Sequence, residues 1–245
     1  QINSKEINKI KTLSKKEKDF RIKNLNFFNK NGFPNKRLED WKFSDLRQII
    51  SKNFKRLNAK NINFKIKKIN FIKDFDHNYI VIVNGKLHSN NFKFKNKKKI
   101  IIKNFQNKNF SENNEKNPLI SLNLALSSNG YDFEIKDNYK FNKAVIIYNL
   151  FTKDLKDNIL NSRNKINVGK NSELHVVDFI VNESKNKFVN NVYENVALAN
   201  NAVYKNICIQ KGKSLGYFHK FSRNQLLSKS NYSSFIFPSG LRFNK

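Results

Sequence analysis

Apolar and polar residues change rhythm part-way along this chain. Across residues 2–29, Ile7, Ile10, Leu13, Phe20, Leu25 and Phe28 recur near helical spacing. Ser14 and Glu17 form S-x-x-E, a helix-start pattern, so two helices with a break at Ser14 are predicted. In the charged segment 35–49, Trp41, Phe43 and Leu46 predict an anchor to the body, and Ser44 predicts a cap for a short helix over 45–50. From 61 to 110 the pattern is strand-like, clearest in FKIKKINFI (64–72) and YIVIVNGKLHS (79–89). Asn84-Gly85 reads as a hairpin turn. Residues 93–103 are lysine-rich and read as solvated, and 105–117 as a polar linker ending at Pro118. LISLNLALSS (119–128) fits a short helix or a strand; as a helix it has Leu119, Leu122 and Leu126 on one face and Asn129-Gly130 at its end. Residues 131–135 and 144–150 read as strands, the second apolar enough to be buried, and 152–159 as a polar loop.

The remainder is repetitive. Segments 165–181, 195–210 and 224–240 each hold a short apolar run, a polar turn and a longer alternating run. Ser172, Ala202 and Asn231 take equivalent places, at spacings of 30 and 29 residues. A repeat of this length without helical periodicity fits stacked coils of β-strand, each burying inward side chains against the next. A β-sandwich fits the same pattern. The division predicted is 1–60 helical, 61–117 strand-rich with a linker, and 118–245 the repeat body.

The formal charge of +29 changes the picture less than its size suggests. Lys is spread along the chain and travels with Asn, Ile and Phe, while Gly and Pro are scarce, as an AT-rich genome would supply. A basic nucleic-acid-binding β-solenoid is the alternative; it needs clustered Lys and Arg with exposed aromatics. The basic helix 15–29 fits packing on its own domain better than lying on a membrane. One Cys excludes an internal disulfide and a cysteine metal cluster. There is no apolar run of spanning length and no signal-peptide core at the start, which favours the cytoplasm.

Several stretches resemble the SufD family of iron–sulfur cluster assembly proteins. FPNKRLEDWKFSDL (33–46), carrying Pro34, Glu39, Trp41 and Lys42, is similar to its amino-terminal signature. VIVNGKL (81–87) resembles its strand-Asn-Gly element through Asn84 and Gly85, and SLNLALSSNGYDFEI (121–135) a segment carrying Asn123 and Gly130, with Asn129 where Asp is usual. NSRNKINVGKNSELHVVDF (161–179) looks like its Arg-Asn-x-Ile-x-x-Gly segment through Arg163, Asn164 and Gly169, with Asp178 in place of Glu. FVNNVYENVAL (188–198) resembles its Asn-x-Val-x-Glu element, with Asn190 or Asn191 and Glu194. HKFSRNQLLSKSNYSSF (219–235) resembles a rung opening with His219, and Gly240-Leu241-Arg242 a rung near mid-solenoid. The matches keep the family's order along nearly the whole chain.

The resemblance implies a mainly β fold: a right-handed parallel β-helix behind a small helical or α+β amino-terminal region. It implies that more β-helix and carboxy-terminal helices follow Lys245, and that the surface for a SufC-like ABC ATPase and the contact with a SufB-like scaffold lie there. It implies a non-catalytic part in a SufBCD complex that acquires iron and assembles iron–sulfur clusters, with ATP on the partner. No cofactor, metal or nucleic acid is expected on this segment.

The remaining chemistry agrees with that. Cys208, within ICIQ, reads as a buried core side chain, and His219 as hydrogen-bonded within a rung. His77, His88 and His175 have no Cys or carboxylate at metal-ligand spacing, and there is no phosphate-binding G-x-x-x-x-G-K-[ST]. Asp178 and Glu194, if buried, need partners such as Arg163 or Lys205. A polysaccharide-cleaving solenoid would want paired carboxylates on one face. Asp178 and Glu194 are 16 residues apart, about half a repeat, so stacking is not expected.

Overall fold

The computed structural model describes residues 2–10, 12–59, 69–92, 97–105, 117–210, 214–240 and 242–245. Its helices are α1 (Lys5–Asn8), α2 (Lys15–Asn31), α3 (Leu46–Asn53) and α4 (Pro118–Leu126). The break at Ser14 is real. Ser14 Oγ accepts from Glu17 N–H, and Glu17 returns its carboxylate to Ser14 N–H at 2.8 Å, closing a reciprocal capping box. For α3 the cap is Asp45 rather than Ser44: Asp45 Oδ1 accepts from Gln48 N–H at 2.9 Å. A carboxylate there also meets the positive end of the helix dipole.

Every residue of α4 is buried, where the pattern showed one apolar face. The helix lies between α2 and the solenoid wall, so it has no solvent side. Asn117 caps its start and Pro118 fits the first turn, where no backbone donor is needed. Ser127 ends it, and Asn129-Gly130 already belong to the next strand.

The strands are β1 (Asn78–Val83), β2 (Lys86–Asn90), β3 (Ile100–Asn104), β4 (Asn129–Ile135), β5 (Val145–Phe151), β6 (Asn158–Val168), β7 (Glu173–Asn182), β8 (Phe188–Leu198), β9 (Val203–Gln210), β10 (Gly216–Leu226), β11 (Asn231–Phe237) and β12 (Phe243–Asn244). They form two sheets, β3-β4-β6-β8-β10-β12 and β2-β1-β5-β7-β9-β11. From β4 onward the chain alternates between the sheets and every neighbour is parallel. This is a parallel β-solenoid of about four coils, not a sandwich of antiparallel sheets. β1 to β3 extend both sheets, closed by the expected Asn84-Gly85 hairpin, where both residues have positive φ (47° and 81°). Of the 64–72 run, 64–68 lie outside the described residues, as do 106–116 of the linker. Residues 69–72 form no strand: Ile69, Phe71 and Ile72 cover the outer face of β1 and β5. The 93–103 stretch ends in β3, which pairs with β4.

Register refines the repeat. Glu173 pairs with Val203, and Val203 with Asn231, so Ser172 and Ala202 are followed by Ser230 rather than Asn231. The steps are thus 30 and 28 residues, and the shortening falls in the connection before β10. The turn itself is constant: Ser172, Ala202 and Ser230 each donate N–H to the carbonyl three residues back. The residue before each is left-handed: Asn171, Asn201 and Lys229, with φ of 55°, 59° and 55°. Asn138 holds the place in the first coil. Asn tolerates this conformation better than other L-residues, and here its amide also links coils. Asn201 Nδ2 donates to Asn171 Oδ1 at 2.9 Å, and Asn171 Nδ2 to Asn138 Oδ1 at 3.0 Å.

Candidate functional site

Two polar arrangements are built into this scaffold, one under the helical region and one inside the coils. The first grows from Asn191. Asn161, Asn191 and His219 stack in register on β6, β8 and β10. Asn191 Nδ2 donates to Asn161 Oδ1 at 2.9 Å and to Leu119 O at 3.0 Å, so its Oδ1 is the acceptor for His219 Nδ1, at 2.9 Å. That fixes the neutral Nδ1–H tautomer of His219. From α4, Asn123 Nδ2 donates to Ser162 O at 2.9 Å and Asn191 O at 2.8 Å. Trp41, 1% exposed, stacks on the His219 ring at 5.6 Å, with Phe243 beyond it at 6.3 Å and Lys245 Nζ over its face at 4.6 Å. Burial, then Lys245, push His219 down to about 4. The bond inferred for His219 is present, made to a neighbouring rung.

The second arrangement is the solenoid interior. Leu160, Phe188 and Phe218 pack in an apolar cluster near one corner, and Ile166, Val168, Val196 and Leu198 join another beyond it. Between those groups the same strands carry Ser162, Asn164, Asn190, Lys220 and Ser222, facing a cavity of about 180 Å³, with Glu194 buried beside Lys220. The opposite sheet adds Asn149, Asp178, Asn206 and Cys208. Lys220 Nζ lies 2.9 Å from the carboxylate of Glu194, which is 1% exposed. Asn149 Nδ2 donates to Asp178.

Burial alone would lower the Lys220 pKa; Glu194 and Asp178 outweigh it and hold it above the lysine range. Burial raises the Asp178 carboxyl, as Glu194 does, against the pull of Lys220 and Asn149. It also pushes the Cys208 thiol up to about 12, so Cys208 is neutral at ordinary pH. Cys208 is partly buried and faces this polar cavity rather than an apolar core.

The partner expected of Asp178 and Glu194 was Arg163 or Lys205; it is Lys220. Arg163 lies outside, stacked between Phe105 (5.0 Å) and Tyr193 (5.3 Å), and Lys205 is exposed. Asp178 and Glu194 sit on opposite sheets, so they do not stack but share Lys220 across the interior. No sequence signal marks Lys220 among so many lysines; only the alternation along β10 points it inward.

Of the other singled-out residues, Asn84 makes two 3.0 Å bonds with Thr152, and Pro34 O accepts from Arg47 N–H at 2.9 Å. Gly85, Gly130 and Gly169 sit where a Cβ would meet Ser162, Arg163 O and Asp137, at 3.2, 1.7 and 2.5 Å. Glu39 and Lys42 pair on the surface at 2.8 Å, and Arg242 is exposed. Trp41 and Leu46 anchor their segment, but Phe43 is 88% exposed, with Lys42 Nζ over its ring. His77 is satisfied, donating to Phe75 O at 3.0 Å and accepting from Tyr148 O–H at 2.9 Å. His88 is exposed beside Ser89, and His175 contacts Glu173 at 2.8 Å. Among the described residues no three His, Cys, Asp or Glu gather as a metal site, and no helix is long and apolar enough to cross a membrane.

The family model of the SufBD protein N-terminal region matches residues 4–147. The chain belongs to the SufBD family. In this SufBD chain the match takes in α1 to α4, β1 to β4 and the start of β5, with Pro34, Glu39, Trp41, Lys42, Asn84, Gly85, Asn123 and Gly130. Arg163, Asn164, Gly169, Glu194, His219 and Arg242 lie beyond it, in the coils. No curated protein matches the chain.

Proposed function

We propose that this chain is a SufD-type, non-catalytic component of an iron–sulfur cluster assembly complex in the cytoplasm. It pairs with a SufB-type scaffold and a SufC-type ABC ATPase, supports iron acquisition, and leaves ATP hydrolysis to the ATPase. The observation that carries this reading is the SufBD match over residues 4–147. The parallel coils support it, since a solenoid offers long sheet faces and edges for assembly. The family-matching residues also have structural work. Trp41, Asn123 and His219 join the helical region to the coils, and Gly130 lets two strands approach.

The test is co-purification of the natural gene product with tagged SufB-type and SufC-type proteins. High salt is needed, because a chain of formal charge +29 binds acidic surfaces unspecifically. The expected result is a stoichiometric complex containing both partners. No complex at high salt, with salt-sensitive retention of nucleic acid instead, would overturn the reading.

A further inference from the structure

We propose that the outer face of the sheet formed by β5, β7, β9 and β11 docks an extended segment of a partner protein, one that carries apolar side chains followed by carboxylates. The face is built from two rows of outward side chains, Val177–Ile207–Phe235 and Phe179–Ile209–Phe237, each in register across β7, β9 and β11. On β1 and β5 the same rows begin with Tyr79 and Ile146, and with Val81 and Tyr148. There the chain covers itself. Phe71 stacks on Tyr79 at 4.3 Å and meets Tyr148 edge-on at 5.2 Å, and Ile72 N–H donates to the Tyr148 hydroxyl at 3.0 Å. Val81, Ile146 and Tyr148 are fully buried beneath this cover. Among the described residues the cover stops before β9. Ile207 is 36% exposed, and Phe235 and Phe237 are 56% and 59% exposed. The exposure is not only an edge effect, because β9 is paired on both sides. A contiguous exposed apolar face marks an interaction site. The occupant is read from the cover that exists. Residues 69–76, INFIKDFD, lay Ile69, Phe71 and Ile72 on the face and then pair Asp76 with Lys143, just ahead of β5. On β9 the cation near the equivalent place is Lys205, exposed one outward position before Ile207. A second copy of this chain would bring +29 against +29, so charge favours an acidic partner segment over self-association.

Fluorescence anisotropy of a labelled INFIKDFD peptide with the purified protein, in about 0.15 M salt, tests this. A peptide of the same composition in scrambled order reports unspecific attraction to the basic chain. The expected result is saturable binding of the ordered peptide alone. Ile207→Ser with Phe235→Ser removes two apolar side chains from the face and should weaken that binding about tenfold or more. Lys205→Glu keeps the apolar rows and should weaken it several-fold, while a peptide with both Asp replaced by Asn should not sense that change. Phe43→Ser, at an exposed ring in the helical region, should change nothing. All of these side chains are exposed, so the variants keep the fold. Equal binding of ordered and scrambled peptides, or full binding by the Ile207/Phe235 double variant, would overturn the proposal. So would flotation with phosphatidylglycerol vesicles, or a dimer in sedimentation, that the same double variant abolishes, since the face would then belong to lipid or to a second copy.

Discussion

The ring of His219 stacks on Trp41 at 5.6 Å and 29° while its Nδ1 donates to Asn191 Oδ1 at 2.9 Å. One imidazole thereby ties the buried tryptophan of the helical region to the fourth coil. The tie requires the neutral ring, and burial together with Lys245 holds its pKa down to about 4. An unfolded histidine titrates near 6.5, so the unfolded chain takes the proton first as pH falls. Stability from this residue is therefore complete above pH 6.5 and lost progressively toward pH 4, by up to about 3 kcal/mol. Asp178 acts in the opposite sense: its raised pKa makes the folded state the earlier proton acceptor. Urea unfolding across pH 4–7 should show the acid loss in the unaltered protein and not in His219→Gln. Parallel curves would show that His219 does not control it.

Asn191 carries more than its size implies. Its amide serves Asn161, Leu119 and His219, and its carbonyl accepts from Asn123. Asn191→Leu keeps the volume but strands Asn161 Oδ1, Leu119 O and His219 Nδ1 without those partners. Each buried orphan costs about 1–3 kcal/mol, so a loss of about 3 kcal/mol or more is expected in urea unfolding. A loss under about 1 kcal/mol would mean that water replaces the amide.

Much of the fold was legible because its signals are local. The capping box at Ser14 and Glu17, the Asn84-Gly85 turn and the repeats of β6 to β11 each follow from neighbours in sequence. What escaped depends on which coil meets which. The one-residue error at Asn231 arose because β10 follows a shortened connection, visible only in strand pairing. The all-round burial of α4 depends on two bodies that its own sequence cannot reveal. At the site, Asp178 and Glu194 were legible as carboxylates in need of partners. Their pairing with Lys220 was not, because lysine is too common here to stand out and the contact spans two sheets. Phe43 shows the converse: apolar character suggested an anchor, and the turn after Trp41 points it to solvent.

Gly130 marks where the helical region hands the chain to the solenoid. Its φ is 123°, and a Cβ there would sit 1.7 Å from Arg163 O on the paired strand. That neighbour is backbone, fixed by the β4–β6 ladder, so it cannot step aside. Gly32, at φ 69°, is strained for other residues too, but its nearest neighbour is the Arg47 side chain at 3.5 Å. Gly32→Ala should therefore cost only backbone strain, about 1–3 kcal/mol, since φ 69° with ψ −164° is a conformation essentially reserved to glycine. Gly130→Ala should cost more than about 4 kcal/mol, or abolish soluble expression. Comparing soluble yield and urea midpoints of the two variants separates backbone clash from backbone strain. Equal effects would show that strands β4 and β6 adjust.

Lys229 is the departure from the corner ladder. Asn138, Asn171 and Asn201 hold the left-handed position in successive coils and pass amide hydrogen bonds along it; the fourth coil repeats the conformation, at φ 55°, with a lysine. Lys pays the side-chain strain of that region and offers no amide to Asn201. Lys229→Asn relieves strain and can donate Nδ2 to Asn201 Oδ1, worth about 1 kcal/mol together. For a chain of this size that raises Tm by about 2–4 °C. Lys229→Ala removes the same charge but keeps the strain and adds no donor, so its Tm should stay near that of the unaltered protein. If both variants rise equally, the gain comes from deleting one positive charge among many. A rise confined to Asn shows that the ladder extends to the fourth coil once its residue is supplied.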